Sequence, residues 1–341
     1  MPRPSFILGQ PMLLTLAIPT YNRAESLRAT LVEFVVQIEM AELMDVEIVV
    51  SDNCSTDATP QVCANIAAAH PNLRLRYFRN ATNLGFDGNV NALFSHAQGR
   101  YVWTFSDDDE PSPLLLNHVL ALLRQREIRF AFINYEVSVD GRVLPSRFGA
   151  GPDRWLPARD MLKSIRFSNS LISACLFSRE AWLEANPVRY LGSLWIHFFM
   201  AREVLQLGEG LIVGQPMFTM VQSGLEQSRA EKRCEDRGQI EYYMQAHLKF
   251  VEYAHELPRF RFDRETCALA QSIGQREDIY QVVNFKLTAQ GYALRQLLKI
   301  WGRLRQYRST TLRFWCVTTP LLFVPNGLFR AMRAVSRLVR A

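Results

Sequence analysis

Short apolar runs alternate with longer amphipathic stretches through the first 135 residues of the chain. The apolar runs are rich in β-branched residues and predict strands at 13–18, 46–51, 73–78, 101–105 and 129–134. The amphipathic stretches predict helices at 24–41, 57–69, 87–97 and 113–125. Asn22 followed by Glu25 predicts a capping box at the start of the first helix. This alternation is typical of an α/β fold with a mainly parallel sheet flanked by helices.

The pattern changes after this part of the chain. Asp140-Gly141 predicts a hairpin turn, and the glycines and proline that follow predict a loop reaching residue 156. Residues 157–224 mix helical and strand signals, whereas residues 229–308 predict mostly long helices. We therefore predict one domain over residues 1–225, with halves 12–135 and 136–225, and a helical C-terminal region over 226–341.

Composition favours a globular enzyme. The 341 residues are 48% apolar, which is enough to bury a substantial core. The six cysteines are widely scattered, so their spacing indicates neither a disulfide framework nor a zinc site. The N-terminal Met-Pro-Arg-Pro-Ser has no secretory core, and we expect a cytoplasmic protein.

Basic residues are concentrated at the C-terminal end. Eleven basic residues and no acidic residue follow Asp278, whereas residues 1–278 carry 28 basic and 33 acidic side chains, a net charge of −5. Phe314–Phe329 is apolar but interrupted by prolines, so it falls short of the roughly 20 apolar residues of a membrane span. The arginines that follow recur at helical spacing: Arg330, Arg333, Arg337 and Arg340. This tail predicts binding to an anionic membrane surface, with a helix packed on the body or a nucleic-acid patch as alternatives.

Three polar segments follow predicted strands, at the sheet edge where ligands bind in open α/β folds. They are Pro19-Thr20-Tyr21-Asn22-Arg23, Ser51-Asp52-Asn53-Cys54-Ser55-Thr56-Asp57 and Ser106-Asp107-Asp108-Asp109-Glu110-Pro111. Each segment alone is compatible with a helix cap, a turn or a solvated acidic loop. Successive parallel strands bring their carboxyl ends to one edge, so together the segments predict a single crevice.

The aspartate run carries the main chemical signal. Adjacent carboxylates repel one another unless a cation or hydrogen bonds offset the repulsion. Mg²⁺ or Mn²⁺ prefers oxygen ligands and is commonly held by one or two carboxylates together with substrate phosphates. We therefore predict a divalent metal that neutralises a departing diphosphate as a Lewis acid. Asp52 is expected to accept hydrogen bonds from a base or ribose, and the Tyr21 ring offers a surface for the base.

Residues 12–135 resemble the family 2 glycosyltransferases, which share the GT-A fold. The resemblance rests on four ordered motifs, namely LAIPTYNRAESL, VEIVVSDNCSTDAT, RNATNLGFDGNVN (Arg79–Asn91) and YVWTFSDDDEPSP. It is closest to enzymes that add sugars to lipid-linked O-antigen units, such as abequosyltransferase-like proteins. It implies a GT-A fold, a nucleotide-sugar donor, Mg²⁺ or Mn²⁺ as cofactor and a lipid-linked saccharide acceptor.

The resemblance also assigns roles to single positions. Those expected to contact the nucleotide sugar are Pro19, Thr20, Tyr21, Arg23, Asp52, Asn53, Asn83 and Gly85. Many relatives carry an Asp-X-Asp-Asp pattern ahead of a proline, and Pro113 places Ser106 at its first position. Asp107 then lies near the ribose, and Asp108 holds the metal with Asp109 in support. The register Asp107-X-Asp109 stays open as an alternative.

The resemblance weakens in the second half of the chain. An inverting transferase needs a general base for the acceptor hydroxyl. Many relatives supply it from a Glu-Asp pair ahead of a Leu-Trp segment, whereas residues 190–197 contain no acid. His197 becomes the candidate, because imidazole can act as a base or a metal ligand. A structural histidine among aromatic residues is an equal alternative, and Glu203 and Asp160 are reserve candidates.

We therefore predict a metal-dependent, inverting glycosyltransferase in cell-surface polysaccharide biosynthesis, peripheral on the cytoplasmic face of the inner membrane. Its partners are a nucleotide-sugar donor, a lipid-linked saccharide acceptor and an anionic membrane surface, and no nucleic acid. Two alternatives remain: an enzyme that loads a sugar onto polyprenyl phosphate, and a non-catalytic module that binds a nucleotide sugar or a carbohydrate.

Overall fold

The computed structural model describes residues 12–146, 148–165, 171–222 and 294–325, together with residues 248, 251, 252, 282 and 328. The chain forms two compact units, residues 1–225 and residues 226–341. No helix in the described ranges has the length and apolarity needed to cross a bilayer.

A mixed sheet forms the centre of the first unit. Its described strands are β1 (Leu14–Thr20), β2 (Val46–Asp52), β3 (Leu75–Arg79), β4 (Tyr101–Thr104), β5 (Glu110–Pro111), β6 (Phe130–Val139), β7 (Arg142–Leu144), β8 (Arg154–Leu156), β9 (Cys175–Ser178) and β10 (Gly210–Gln222). Their spatial order is β3-β2-β1-β4-β9-β6-β10-β5, with β7 beside β6 and β8 beside β10. β1, β2, β3 and β4 pair in parallel, as do β6 and β10, whereas β9 runs antiparallel between β4 and β6.

Helices cover this sheet. They are α1 (Ala24–Met40), α2 (Thr59–Ala69), α3 (Gly85–His96), α4 (Leu115–Gln125), α5 (Ala158–Ile165), α6 (Arg179–Glu184) and α7 (Ile196–Leu205). The apolar positions of α1 recur at helical spacing and are fully buried at Leu27, Leu31 and Phe34, each worth about 1.5–3 kcal/mol. The predicted α/β fold, a mainly parallel sheet with flanking helices, is confirmed.

The predicted hairpin is present and explains the extension of β6 beyond residue 134. Asp140 and Gly141 both adopt positive φ, 51° and 78°, as a tight hairpin turn requires. β6 and β7 then pair antiparallel on either side of that turn.

The predicted capping box at the start of α1 is wrong. The residue before the helix is Arg23, and its side chain makes no capping hydrogen bond. Asn22 lies in the left-handed region, with φ 52°, and its side-chain oxygen accepts a 2.7 Å hydrogen bond from the Thr56 amide. Asp57, in the loop after β2, instead accepts a 2.9 Å bond from the Ala24 amide. The first turn of α1 is therefore capped from another loop.

The described part of the second unit is helical. It contains α8 (Leu294–Arg308), a π-helical turn (Phe314–Thr318) and α9 (Thr319–Phe323). These elements share a buried apolar core with three earlier residues of the same unit, Leu248, Val251 and Val282. The elements themselves contribute Ile300, Leu304, Phe314 and Leu322 to that core. Most of the long helices predicted between 229 and 293, and the arginine stripe of residues 330–340, lie outside the described residues.

Candidate functional site

The three polar segments singled out in the sequence meet at one edge of the sheet. β1 and β2 are parallel and in register, so Thr20 lies opposite Asp52. β4 pairs with the other side of β1, and the aspartate run follows it. The Thr20 hydroxyl donates a 2.6 Å hydrogen bond to Asp107, and the Asn53 amide donates a 2.9 Å bond to the Thr20 carbonyl. The predicted crevice therefore brings together residues from all three segments.

Arg23 neutralises part of the aspartate run. Its Nη1 lies 3.0 Å from Asp107 Oδ1 and 2.5 Å from Asp108 Oδ2. Burial lowers the pKa of the Arg23 guanidinium, but the two carboxylates outweigh burial and raise it above the ordinary value. The Asp107 side chain is 4% exposed, whereas Asp108 is 41% exposed. Asp108 is thus the carboxylate of this pair that solvent, a cation or a phosphate can reach.

Asp109 is buried and attaches the aspartate run to the 3₁₀ turn that contains Ser173. Its Oδ2 accepts a 2.5 Å hydrogen bond from the Ser173 hydroxyl, whose oxygen also accepts a 2.8 Å bond from the Ser106 amide. Burial raises the pKa of the Asp109 carboxyl to about 7. Ser173 lies in a 3₁₀ turn (Ile172–Ala174) far along the chain, and no local sequence signal marks it as a partner of the run.

Asp52, the predicted base-binding acid, is completely buried. Its carboxylate accepts hydrogen bonds from the Tyr77 hydroxyl at 2.5 Å and the Ser55 amide at 2.8 Å. Arg79 Nε lies 3.6 Å from the same carboxylate. Solvent reaches the Arg79 side chain, which is 46% exposed, and the Tyr21 side chain at the end of β1, which is 44% exposed. Asp52 therefore organises the wall of the crevice, and the exposed surface belongs to its neighbours.

Asn53 holds the predicted donor-site loop. Its Nδ2 donates to Asn83 Oδ1 at 2.7 Å and to the Gly85 carbonyl at 3.3 Å, and its Oδ1 accepts a 2.8 Å bond from the Leu84 amide. Gly85 has a φ of 71°, which favours glycine, and space is open where a Cβ would be. Pro19 is partly buried within β1, directly before Thr20. Six of the predicted nucleotide-site residues are thus joined by hydrogen bonds at one edge, namely Thr20, Arg23, Asn53, Asn83, Gly85 and Asp107.

The candidate bases are placed differently. His197 lies in the first turn of α7 and is 2% exposed, with the rings of Phe86 and Trp195 at 5.8 and 6.2 Å. Phe86 belongs to the donor-side helix α3, so His197 is next to that helix. Glu203 lies near the other end of α7, hydrogen-bonded to Tyr190 and 3.8 Å from Arg189.

The donor atoms at the aspartate run suit a hard divalent cation. Asp108 presents an accessible carboxylate, and Asp107 lies beside it through their shared contact with Arg23. No cluster of three His, Cys, Asp or Glu side chains placed to hold a metal occurs within the described ranges. Mg²⁺ is usually held by one or two carboxylates plus substrate phosphates, so these residues fit a cation that arrives with a diphosphate.

The architecture is that of the GT-A glycosyltransferases. The chain is similar to Staphylococcus aureus TarS 1-349 in complex with UDP-GlcNAc, with a TM-score of 0.66, 16% identity, and coverage of 95% of this chain and 88% of that one. It is also similar to the mannosyltransferase PcManGT from Pyrobaculum calidifontis in complex with GDP-Man and Mn²⁺. That match has a TM-score of 0.53, 18% identity, and coverage of 92% of this chain and 86% of that one. At these identities the likeness establishes the fold.

Residues 15–181, 167 of the 341 residues, match the model of Glycosyl transferase family 2, so this segment is a domain of that family. This match includes all three polar segments and the α3 motif. The resemblance inferred from the four sequence motifs is confirmed.

Curated relatives are named as sugar transferases or as a polysaccharide biosynthesis protein. The abequosyltransferase RfbV of Salmonella typhimurium is 41% identical over 98 residues, 29% of this chain and 28% of that protein. The succinoglycan biosynthesis protein ExoO of Rhizobium meliloti is 33% identical over 202 residues, 59% of this chain and 52% of that protein. A Campylobacter jejuni relative, named GalNAc(5)-diNAcBac-PP-undecaprenol beta-1,3-glucosyltransferase, is 30% identical over 166 residues, 47% of this chain and 50% of that protein. The matches span about half or less of these relatives.

Proposed function

We propose that this protein is a metal-dependent, inverting glycosyltransferase that moves a sugar from a nucleotide-sugar donor to a lipid-linked saccharide in cell-surface polysaccharide biosynthesis. The observation that carries the proposal is the crevice in which Thr20, Asn53 and Asp107 are hydrogen-bonded within a family 2 domain. The UDP-GlcNAc in the TarS structure supports a nucleotide-sugar donor, and the undecaprenol-linked saccharide in the name of the Campylobacter relative supports a lipid-linked acceptor.

The donor binds with its base between the exposed Tyr21 and Arg79 side chains and its diphosphate at Asp108. Asp52 acts by fixing Tyr77 and Arg79 rather than by direct contact, since its carboxylate is fully buried. Arg23 contacts both Asp107 and Asp108, so it lies beside the place assigned to the diphosphate and supplies positive charge there.

Asp108 holds Mg²⁺ or Mn²⁺, supported by Asp107 and by the donor phosphates. The bound cation neutralises charge that develops on the departing diphosphate. Asp109 keeps the aspartate run in place through its hydrogen bond with Ser173. Its buried carboxyl does not coordinate the metal in this arrangement. The Mn²⁺ in the PcManGT structure supports this choice of ion.

His197 is assigned as the base that accepts the proton of the attacking hydroxyl, with Glu203 as the alternative. His197 is favoured because its ring packs on Phe86, in the helix that follows the donor-site loop. It is 2% exposed, so the acceptor must reach it by displacing covering side chains. That burial also favours one competing function, a nucleotide-sugar-binding module without transfer activity.

One assay separates the enzyme from the binding module. The protein is incubated with a panel of UDP-, GDP-, CDP- and dTDP-sugars and Mn²⁺, without acceptor, and release of the nucleoside diphosphate is measured. We expect slow hydrolysis of one donor that EDTA abolishes and Asp108→Ala removes. Binding of a donor without hydrolysis, and without transfer to extracted polyprenol-linked saccharides, would leave only the binding module. Transfer to polyprenyl phosphate itself would establish the other enzymatic alternative.

The acceptor brings the protein to the cytoplasmic face of an anionic membrane. In α8 and the segment that follows it, the exposed side chains include Leu312, 78% exposed, and Trp315, 43% exposed, beside Arg313. No acidic residue follows Asp278. Exposed apolar and aromatic side chains with basic neighbours are suited to the interface of an anionic bilayer.

Liposome sedimentation tests this partner. Deleting 311–341, or combining Leu312→Glu with Trp315→Ser, is expected to release the protein from phosphatidylglycerol vesicles. Met40→Glu is the matched control, because Met40 is 83% exposed on α1 in the first unit. Sedimentation that the deletion does not change would exclude the C-terminal region as the membrane-binding surface.

A further inference from the structure

The segment that leads into α7 has an unusual backbone conformation. Gly192 and Leu194 have positive φ values of 77° and 66°, and leucine rarely adopts this conformation. The residue before the helix, Trp195, provides no side-chain cap, and the first turn of α7 contains no acidic residue. The amide groups of this first turn therefore need acceptors from elsewhere in the fold.

Asp87, in the first turn of α3, supplies an acceptor to the first amide of α7 and another to an amide of the segment before it. Its Oδ2 accepts a 2.7 Å hydrogen bond from the Leu194 amide, and its Oδ1 accepts a 3.1 Å bond from the Ile196 amide. The Ser193 hydroxyl lies 3.4 Å from Oδ2. Asp87 is 2% exposed and does not cap its own helix. Its carboxylate thus gives the N-terminus of α7 a negative partner, which the helix dipole also favours.

The opposite side of α3 is attached to the nucleotide edge of the sheet. Asn89, two residues after Asp87 and therefore on the opposite face of the helix, is 3% exposed. It donates to the Ser51 carbonyl at 3.0 Å and to the Thr20 carbonyl at 3.4 Å. The loop leading into α3 is held by Asn53, as described above. α3 therefore connects the proposed donor site at one end of this hydrogen-bond chain with the start of α7 at the other.

We propose that Asp87 is a positioning residue that fixes the start of α7 against the donor-side helix, so that His197 is held at a set place relative to the donor sugar. This inference rests on the proposed function. Asp87 is not itself suited to receive the acceptor proton, because both of its oxygens accept backbone hydrogen bonds and it is almost completely buried.

Two variants test the inference. Asp87→Ala removes both acceptors, whereas Asp87→Asn has nearly the same size and keeps one. Hydrogen–deuterium exchange, which does not depend on activity, is measured for the peptide covering 192–199. We expect exchange there to accelerate about tenfold or more in Asp87→Ala and less in Asp87→Asn, because a hydrogen bond to a charged group is lost. Exchange in α1 should stay unchanged. Asp45→Ala, which breaks the exposed pair with Arg124, is the control and should leave 192–199 unchanged.

Steady-state kinetics provide the functional readout. We expect kcat to fall about tenfold or more in Asp87→Ala, whereas the KM for the donor should change less than about threefold. The value of kcat should decrease in the order wild type, Asp87→Asn, Asp87→Ala. Unchanged exchange at 192–199 in both variants would overturn the proposal, as would an unchanged kcat or a rise in donor KM alone. If Asp87→Ala does not fold, the same criteria apply to Asp87→Asn. If the wild type transfers no sugar but exchange at 192–199 is still faster in Asp87→Ala, the proposed function is contradicted. The structural role of Asp87 at the start of α7 would then stand.

Discussion

Replacing Asp109 by asparagine should make the protein more stable, and by an amount that grows with pH. Burial raises the pKa of this carboxyl from 3.8 to about 7 in the folded protein. One unit of pKa difference corresponds to about 1.4 kcal/mol, so ionising Asp109 in the folded state costs at most about 4 kcal/mol. Asparagine has nearly the same shape and avoids that cost. It also loses an acceptor facing a backbone amide, a penalty that does not vary with pH.

The sign follows from the protons bound by each state. Below about pH 4 both the folded and unfolded states keep the Asp109 proton, and the carboxyl has no pH-dependent effect. Between about pH 4 and pH 7 the unfolded chain releases the proton and the folded protein retains it, so wild-type stability falls by about 1.4 kcal/mol per pH unit from this group. Above about pH 7 both states are ionised and the loss stays constant.

The assay is urea unfolding followed by tryptophan fluorescence, in metal-free buffer, from about pH 4 to pH 8. The measured quantity is the difference in unfolding free energy between Asp109→Asn and wild type, because most other titrating groups cancel in that difference. Asp160→Asn, which changes an exposed carboxyl on α5, is the control and should give no comparable rise. A difference for Asp109→Asn that is flat across this range, or larger at low pH, would refute the reasoning.

Four further predictions concern the metal, the donor loop, the sheet and α8. Asp108→Asn should lower activity about a hundredfold or more and flatten its response to added Mn²⁺, as measured by metal titration of donor turnover. Asn53→Ala should raise the donor KM about tenfold, because the loop at 83–85 loses its hydrogen bonds; an unchanged KM in steady-state assays would contradict this. Gly99→Ala should lower the unfolding free energy by about 2 kcal/mol, since its Cβ would lie 2.5 Å from the Thr15 nitrogen. Gly302→Ala, in α8 with open space at the Cβ, should raise it by up to about 1 kcal/mol in the same urea assay.

The sequence predicted the sheet and the meeting of the three polar segments because both depend on local pattern and on parallel strand order. β2 is buried along its whole length, and its four apolar residues are all β-branched, so its position could be inferred. The partners of the site residues could not. Ser173 meets Asp109 across 64 positions of chain, and Asp87 meets Ile196 across 109. Such pairs form when distant segments pack, and neither residue carries a signal of its partner.

The burial of Asp52 and His197 illustrates a related limit. In the sequence, a carboxylate or imidazole is predicted to be functional from its residue type and its place in a motif. Access depends on the neighbours that cover it, here Tyr77 for Asp52 and Phe86 and Trp195 for His197. Asp108 differs because Arg23 contacts one side and leaves the carboxylate 41% exposed. Residue type can be inferred from sequence, but exposure requires the packed fold.

The exchange of hydrogen bonds between the loops after β1 and β2 has a consequence for redesign. Asn22 receives a bond from Thr56 and donates its own amide to Ser55, while Asp57 holds the first amide of α1. Each loop is held in part by hydrogen bonds from the other. Grafting a single loop from a relative to change donor preference should therefore produce a misfolded crevice, whereas transplanting residues 20–24 and 52–57 together preserves every reciprocal bond. For this protein, we therefore expect the two loops to be exchangeable only as a pair.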